Sequence, residues 1–270
     1  MFANVLFPLN LREPMSNIHA LAQSLKSFDT QQIVLLTVMS ADLTGRQAAH
    51  AQKKLEAIRE ELNEYGFQVE ILLRKGHTAT EIAKAASQLN IDFICLTWKK
   101  KPFIRYTLLG SHTKDVIRLS DVPVFLFKRS LFSAGSTRLN AVLYATDFEA
   151  MDRTILPYLN YEGLKANRLI VLNVGQRAPD PNAEQKRLQR VYNKLFALKD
   201  ECVESFDEIE AVASIGNPKR VILREAWKNS VDVIVIGKYT DTSPVEKVMG
   251  STAESIAHRS RVSVLIIPGQ

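Results

Sequence analysis

The chain has 270 residues, of which 46% are hydrophobic and 24% charged, so it is long enough for two ordinary globular domains. No apolar run reaches membrane-spanning length, and the N-terminus lacks the basic start and apolar core of a signal peptide, so we expect a cytoplasmic protein. The net charge of +6 is modest, with 16 basic and 12 acidic side chains in residues 1–128 and 18 and 17 in residues 138–270, which does not indicate a nucleic-acid partner.

Short β-branched runs alternate with amphipathic helical patterns through the first half of the chain. Strands are predicted at 4–9, 32–38, 67–73, 92–97 and 123–127, and helices at 16–26, 44–65, 80–89 and 111–119. The longest helix carries an apolar stripe that should cover a sheet face, namely Ala51, Leu55, Ile58, Leu62 and Tyr65. Alternating strands and helices with short links predict a parallel, doubly wound sheet.

The second half repeats the first at a shift of 140 positions. Residues 75–77 align with 215–217, 91–97 with 231–237 and 109–111 with 249–251. Strands are predicted at 141–145, 169–174, 208–214, 231–236 and 262–267, with a long helix at 183–205. We therefore expect two copies of one domain, at 1–128 and 139–270, joined by a Ser- and Gly-rich linker at 129–138.

The stretch from Val231 to Pro268 predicts a strand, a loop, a helix beginning at Gly250-Ser251-Thr252, and a further strand. Free N–H groups and the positive dipole end of that helix would face the carboxyl end of the preceding strand, which favours a phosphate there. Gly237, two residues to Thr240, then nine residues to Gly250-Ser251, resembles the G-x-x-G-(x)9-G-[ST] signature of universal stress protein domains. Thr240 stands where the signature has its second glycine.

This resemblance implies two α/β domains of the Rossmann-like (HUP-type) fold, each a five-stranded parallel sheet with strand order 3-2-1-4-5. It implies a stress or signalling protein without enzymatic activity, and ATP or another adenine nucleotide, with Mg, in the second domain only. Asp147 matches the family's acidic residue that meets the adenosine, and Val174 the residue whose backbone meets the adenine. The expected site residues are Asp147, Val174, Gly216, Gly237, Thr240, Gly250, Ser251 and Thr252. Lys238 and Lys247 are near enough in sequence to add positive charge.

Simpler interpretations of the same residues stay open. Asp147 is also a typical helix cap, Gly237 a tight turn, and Gly250 an ordinary helix start. A β-branched Thr240 resists positive φ and fills space, although its hydroxyl can donate to a phosphate. The runner-up functions are therefore a nucleotide-free interaction scaffold and a weak ATP hydrolase. We can name no catalytic residues and no metal site, because the five histidines are scattered without ligand spacing.

The first copy departs further from the signature. Its glycine positions hold Thr97 and Lys100, and its acidic position holds Asn10, so no nucleotide is expected there. The loop Lys99 to Arg105 is basic and aromatic, and it either closes over the site, contacts an anionic protein or lipid partner, or is a solvated loop.

Two further expectations concern cysteines and assembly. Cys95 and Cys202 form no disulfide framework and should be inert reduced thiols. Family members pair through their last strands, so residues 122–127 and 262–267 are the candidate edges that join the two domains, and whole chains should then form a homodimer.

Overall fold

The structure is a computed structural model, and it describes residues 1–39, 45–97, 110–128, 139–161, 166–202, 206–239 and 250–269. The described residues up to 128 form one compact unit, and those from 139 onward form a second. The predicted linker at 129–138 and the loop Lys99–Arg105 lie outside the described residues. The exact domain boundaries and the pairing of the last strands therefore stay predictions.

The first unit alternates strands and helices as the sequence predicts. Its elements are β1 (Asn4–Pro8), α1 (Met15–Ser27), β2 (Gln32–Met39), α2 (Gly45–Glu64), β3 (Gln68–Lys75), α3 (Thr78–Gln88), β4 (Phe93–Thr97), α4 (Ser111–Leu119) and β5 (Val124–Phe127). The strands pair in parallel in the order β3-β2-β1-β4-β5, which confirms the expected topology. Each element end lies within two residues of its predicted position.

The second unit repeats this arrangement. Its elements are β6 (Leu139–Thr146), α5 (Met151–Leu159), β7 (Ala166–Gly175), α6 (Pro181–Asp200), β8 (Phe206–Ile215), α7 (Pro218–Lys228), β9 (Val233–Lys238), α8 (Ser251–Arg259) and β10 (Ser263–Pro268). The strand order is β8-β7-β6-β9-β10, again fully parallel. Helix α6 begins two residues earlier than predicted because Asp180 caps it, accepting a hydrogen bond from the Ala183 N–H at 2.9 Å.

The duplication extends to individual backbone angles and hydrogen bonds. Gly76 and Gly216, which are 140 positions apart, have φ values of 136° and 134°. The hydroxyls of Ser120 and Ser260 donate to the carbonyl two residues later at 2.6 and 2.7 Å, just before the last strand of each unit. The two halves therefore share one fold in detail and not only in outline.

Each core lies between the sheet and the helices that cover it. The predicted stripe on α2 is buried at Ala51, Leu55, Ile58 and Leu62, whereas Tyr65, its fifth predicted member, is half-buried and lies just beyond the helix. A fully buried leucine or isoleucine contributes about 1.5–3 kcal/mol. Cys95 and Cys202 are buried free thiols, and desolvation raises the pKa of both, that of Cys202 to about 12. Both thiols are therefore protonated near neutral pH. Because the thiolate is the reactive form of cysteine, both should be unreactive.

Two features are absent from the described ranges. Within these ranges, none of the helices combines the length and apolar character needed to traverse a bilayer. The side chains described there also bring together no cluster of three His, Cys, Asp or Glu residues suited to a metal ion.

Candidate functional site

A cavity of about 190 Å³ lies in the second unit, where β6 and β9 end side by side. These strands are neighbours in the sheet, and the chain leaves them in opposite directions, toward β7 and toward β10. Ligands bind at such reversal points in open parallel sheets. Six of the eight predicted site residues line this cavity, namely Asp147, Val174, Gly237, Gly250, Ser251 and Thr252.

The other two predicted residues are placed differently. Gly216 is exposed at the turn after β8, its N–H donates to the Gly175 carbonyl at 3.0 Å, and it is not part of the cavity wall. Its φ of 134° explains why glycine stands there, since L side chains rarely adopt that angle. Thr240 lies outside the described residues, as does Lys247.

Asp147 forms a turn after β6 that both units share. Its Oδ1 accepts from the Glu149 N–H at 3.2 Å, and the residue between them, Phe148, has a φ of 64°. In the first unit Asn10 accepts from the Arg12 N–H at 3.0 Å around a residue with a φ of 61°. Asp147 does not cap α5, whose capping position is Ala150. The turn needs only the oxygen that Asn also has, so the charge and second oxygen of Asp147 serve something else.

Tyr239, directly after β9, contacts this carboxylate. Its hydroxyl lies 2.8 Å from both Oδ1 and Oδ2 of Asp147, so the side chain crosses from the end of β9 to the turn after β6. Burial, and secondly the Asp147 carboxylate, raise the pKa of Tyr239, which keeps its hydroxyl a donor. Tyr239 was not among the predicted site residues, although it lies within the glycine signature itself.

A second carboxylate, Asp152, lies in the same wall, in the first turn of α5. Its Oδ1 accepts from the Tyr144 hydroxyl and, at 2.7 Å, from the Thr146 hydroxyl. Thr146 in turn accepts from the Phe148 N–H at 2.9 Å, which fixes the turn at Asp147. Burial and the neighbouring Asp152 raise the pKa of Tyr144. This wall of the cavity is therefore acidic and held by hydrogen bonds. Tyr144 lies at the strand end that was expected to line the crevice, whereas Asp152 was not among the predicted site residues.

The two signature glycines, Gly237 and Gly250, have different surroundings. A Cβ on Gly237 would lie 2.7 Å from Cε of Met151 and 3.2 Å from its Cβ, so glycine at this position lets α5 pack against β9. Gly250 has a φ of −54° and a ψ of 139°, which any L residue can adopt. A Cβ there would meet no atom of the described residues beyond its chain neighbours within 4 Å. As far as the described residues are concerned, Gly250 therefore leaves open space at the start of α8.

The start of α8 supplies donors to the cavity. Gly250 occupies the capping position without a side chain to bond the first N–H groups, and an α-helix leaves its first four N–H groups without partners inside the helix. Ser251 is exposed and Thr252 half-buried beside them. The expectation that Lys238 adds charge here is wrong, because β9 continues through Lys238, which is 2% exposed and does not line the cavity.

The end of β7 forms the third side. The ladder between β6 and β7 ends at the pair of Thr146 and Asn173, so Val174 lies one residue beyond it at the cavity. The Asn173 side chain donates to the Thr146 carbonyl at 3.0 Å and holds the two strand ends together. The site thus has an acidic wall, a donor wall and a strand end between them.

The loop after β7 is held by an ion pair. Glu184 accepts from Arg187 at 2.8 and 2.9 Å and from the Ala178 N–H at 2.8 Å. These bonds, that from Arg187 foremost, lower the pKa of Glu184 to about 2. The Arg187 guanidinium lies over Gly175, where a Cβ would come within 2.9 Å of Nη1.

Comparison with known proteins agrees with this architecture. The model of the universal stress protein family matches residues 18–128 and again 158–268. A universal stress protein from Archaeoglobus fulgidus has the same fold, with a TM-score of 0.74 and 22% identity over 98% of each chain.

Single-domain relatives match about half of the chain. Universal stress protein MJ0577 of Methanocaldococcus jannaschii is 24% identical over 48% of this chain and 96% of its own length. Universal stress protein Sll1654 of Synechocystis is 25% identical over 47% of this chain and 85% of its own. Because the family model matches twice and covers most of the sequence, the chain belongs to the universal stress protein family as a tandem of two such domains.

Proposed function

We propose that the cavity of the second unit binds an adenine nucleotide, and that the protein is a cytoplasmic stress or signalling protein that senses it. One observation carries this proposal. Neither its backbone angles nor the packing of the described residues demands glycine at position 250, yet Gly250 leaves open space at a helix start that faces the same cavity as Asp147 and Asp152. A helix start with room above it suits a phosphate, whose oxygens need donors and low steric bulk.

The opposite wall suits the nucleoside. A carboxylate accepts from ribose hydroxyls, and Asp147 is the exposed carboxylate at the turn after β6. Val174, just beyond the β6–β7 ladder, offers its peptide group to the adenine edge. A Mg²⁺ ion would arrive on the phosphates and keep most of its water, since the described residues supply no dedicated metal cluster.

One observation favours the scaffold alternative. The Asp147 carboxylate already accepts from Tyr239 at 2.8 Å, so a ribose has to replace that bond. If a ribose bonds Asp147 no more favourably than Tyr239 does, the nucleotide does not displace the tyrosine and the cavity stays without a ligand. In that case the second unit acts through its surface alone.

Isothermal titration of the nucleotide-free protein with ATP and Mg²⁺ distinguishes the alternatives. We expect one site per chain, which Gly250→Val abolishes by filling the open space, whereas Gly110→Val at the matching position of the first unit leaves binding unchanged. Asp147→Asn, which keeps the turn that Asn10 forms in the first unit, weakens binding. No heat with millimolar ATP would favour the scaffold, and phosphate release that Asp147→Ala abolishes would favour the hydrolase.

A further inference from the structure

A larger cavity, of about 300 Å³, lies elsewhere in the second unit, between the end of α7 and the turn from α8 to β10. Trp227 lines this cavity and is 74% exposed. Glu225, two residues before it on the same helix, is buried. A tryptophan left this exposed keeps a large apolar surface in water, which disfavours it at an ordinary surface position. The cavity takes no part in the nucleotide site described above.

The fold itself does not require these side chains, because the first unit forms the same helices without them. Shifted by 140 positions, Trp227 becomes Ser87, which is also exposed, and Arg259 becomes Leu119. Arg224 becomes Lys84. The cluster is therefore a property of the second unit alone and not a consequence of packing α7 beside α8.

The cavity combines an apolar floor with a cationic rim. Leu223, Ala226 and Val262 line it from below, and the exposed Arg224, Arg259 and Arg261 surround it. Arg224 donates to the buried Glu225 at 2.9 and 3.2 Å, and this ion pair compensates one of the three positive charges. Three guanidinium groups against this one carboxylate leave the rim with a net positive charge.

This chemistry matches carboxylates next to an apolar group. Guanidinium groups bind carboxylates through paired hydrogen bonds, and Trp and Arg are the residues that contribute most at protein interfaces. A single stranded nucleic acid instead needs a basic track and several stacking platforms. The second half has nearly balanced charge, 18 basic against 17 acidic side chains, so it lacks the large basic excess typical of a nucleic-acid-binding domain.

We propose that this cavity receives an acidic peptide segment of a partner protein. One apolar side chain of the segment enters the cavity against Trp227, and Asp or Glu residues on either side bind Arg224 and Arg259. The second unit thereby has two ligand sites, one for a nucleotide and one for a protein, on different faces of its last two helices.

Tryptophan fluorescence tests the proposal in the full chain. Trp98→Phe leaves Trp227 as the only tryptophan of the two, and the probe is a blocked peptide with one leucine between two pairs of glutamates. We expect saturable quenching or a blue shift that added salt weakens, and an affinity loss of about tenfold in Arg224→Gln/Arg259→Gln, since charge-assisted bonds are lost. Arg190→Gln, on the exposed face of α6, is the matched control and leaves the affinity unchanged.

Four results would overturn the proposal. They are no response to the acidic peptide at millimolar concentration, an equal response to the glutamine version of the peptide, tighter binding of a decauridylate strand, and a signal that depends only on protein concentration. The last would assign the cavity to a second copy of the chain. Trp227→Ala, followed by calorimetry with the same peptide, checks that the quenching reports contact, because a side chain this exposed can be removed without unfolding.

Discussion

The hydroxyl of Tyr239 lies 2.8 Å from each carboxylate oxygen of Asp147 and thereby joins the end of β9 to the turn after β6. Both residues line the cavity that we assign to the nucleotide. We assign the ribose to Asp147, so on this proposal the tyrosine and the ligand compete for one group. The nucleotide affinity should then depend on Tyr239.

Tyr239→Phe should therefore bind adenine nucleotides more tightly. The change removes one hydrogen bond to a charged acceptor, and we expect a gain of about threefold to tenfold in affinity, measured by titration calorimetry. Tyr192→Phe, on α6 and stacked on Phe196, is the control for loss of a tyrosine hydroxyl and should leave affinity unchanged. Weaker binding by Tyr239→Phe would instead make the hydroxyl a direct ligand contact.

Gly250→Ala separates fold from function. Because Gly250 has a φ of −54°, alanine reduces the entropy of the unfolded chain, but it is also a poorer helix cap than glycine, so the free energy of unfolding should change by less than about 1 kcal/mol. The added methyl lies in the space assigned to the phosphate, so nucleotide affinity should fall. Gly110→Ala, at the capping position of α4 where φ is −59°, should give the same small change in stability without any change in binding. Normal nucleotide affinity in Gly250→Ala would argue against a phosphate at this helix start.

Gly237→Ala should destabilise the second unit through Met151. The new methyl would lie 2.7 Å from Cε of Met151, and overpacking of this kind costs about 1–3 kcal/mol. Met151→Ala alone removes a buried side chain and costs about 2–5 kcal/mol. The double variant should lose less than the sum of the two, because the shortened side chain makes room for the methyl.

Urea unfolding of the second unit measures this coupling, with Trp227 as the only tryptophan in a Trp98→Phe background. The two domains need not unfold together, so a probe within one unit is required. Strictly additive effects would show that Met151 and Gly237 do not constrain each other.

Glu184→Gln should lower stability at neutral pH but not in strong acid. The bond from Arg187 lowers the pKa of Glu184 from its ordinary 4.5 to about 2, so the folded state binds the proton less readily than the unfolded state. The stabilisation is complete above pH 4.5 and is lost as the pH falls toward 2. Thermal unfolding at several pH values should show the wild type and the variant converging over this window. A difference that stays constant down to pH 2 would exclude the ion pair as its cause.

The sequence predicted the fold and most of the candidate site for a physical reason. Parallel strands end at one edge of their sheet, so residues after β6, β7 and β9 had to converge with the start of α8. Asp147, Val174, Gly237 and Gly250 line one cavity accordingly. The repeat at a shift of 140 positions also identified the equivalent positions in the first half, so the two halves could be aligned residue by residue.

The side-chain contacts across the cavity could not be predicted from the sequence pattern. Tyr239 and Asp147 are 92 positions apart, and their contact depends on rotamers rather than on pattern. The packing of Met151 on Gly237 is likewise a tertiary contact. The signature suggests that Gly237 makes room for a ligand, whereas the structure shows that it makes room for helix α5. The expectation for Lys238 failed because β9 continues two residues beyond its predicted end at position 236. Lys238 therefore pairs with Pro268 in the sheet and is buried.

Glycine-selective ¹⁵N NMR during titration with ATP and Mg²⁺ tests the central claim most directly. The chain has 11 glycines, and the alanine variants at 110, 237 and 250 assign the three amide resonances that matter. Our account predicts that Gly250 and Gly237 shift saturably while Gly110 does not move. Saturating ATP that leaves Gly250 unmoved, or that moves Gly110 equally, would contradict a nucleotide site confined to the second unit.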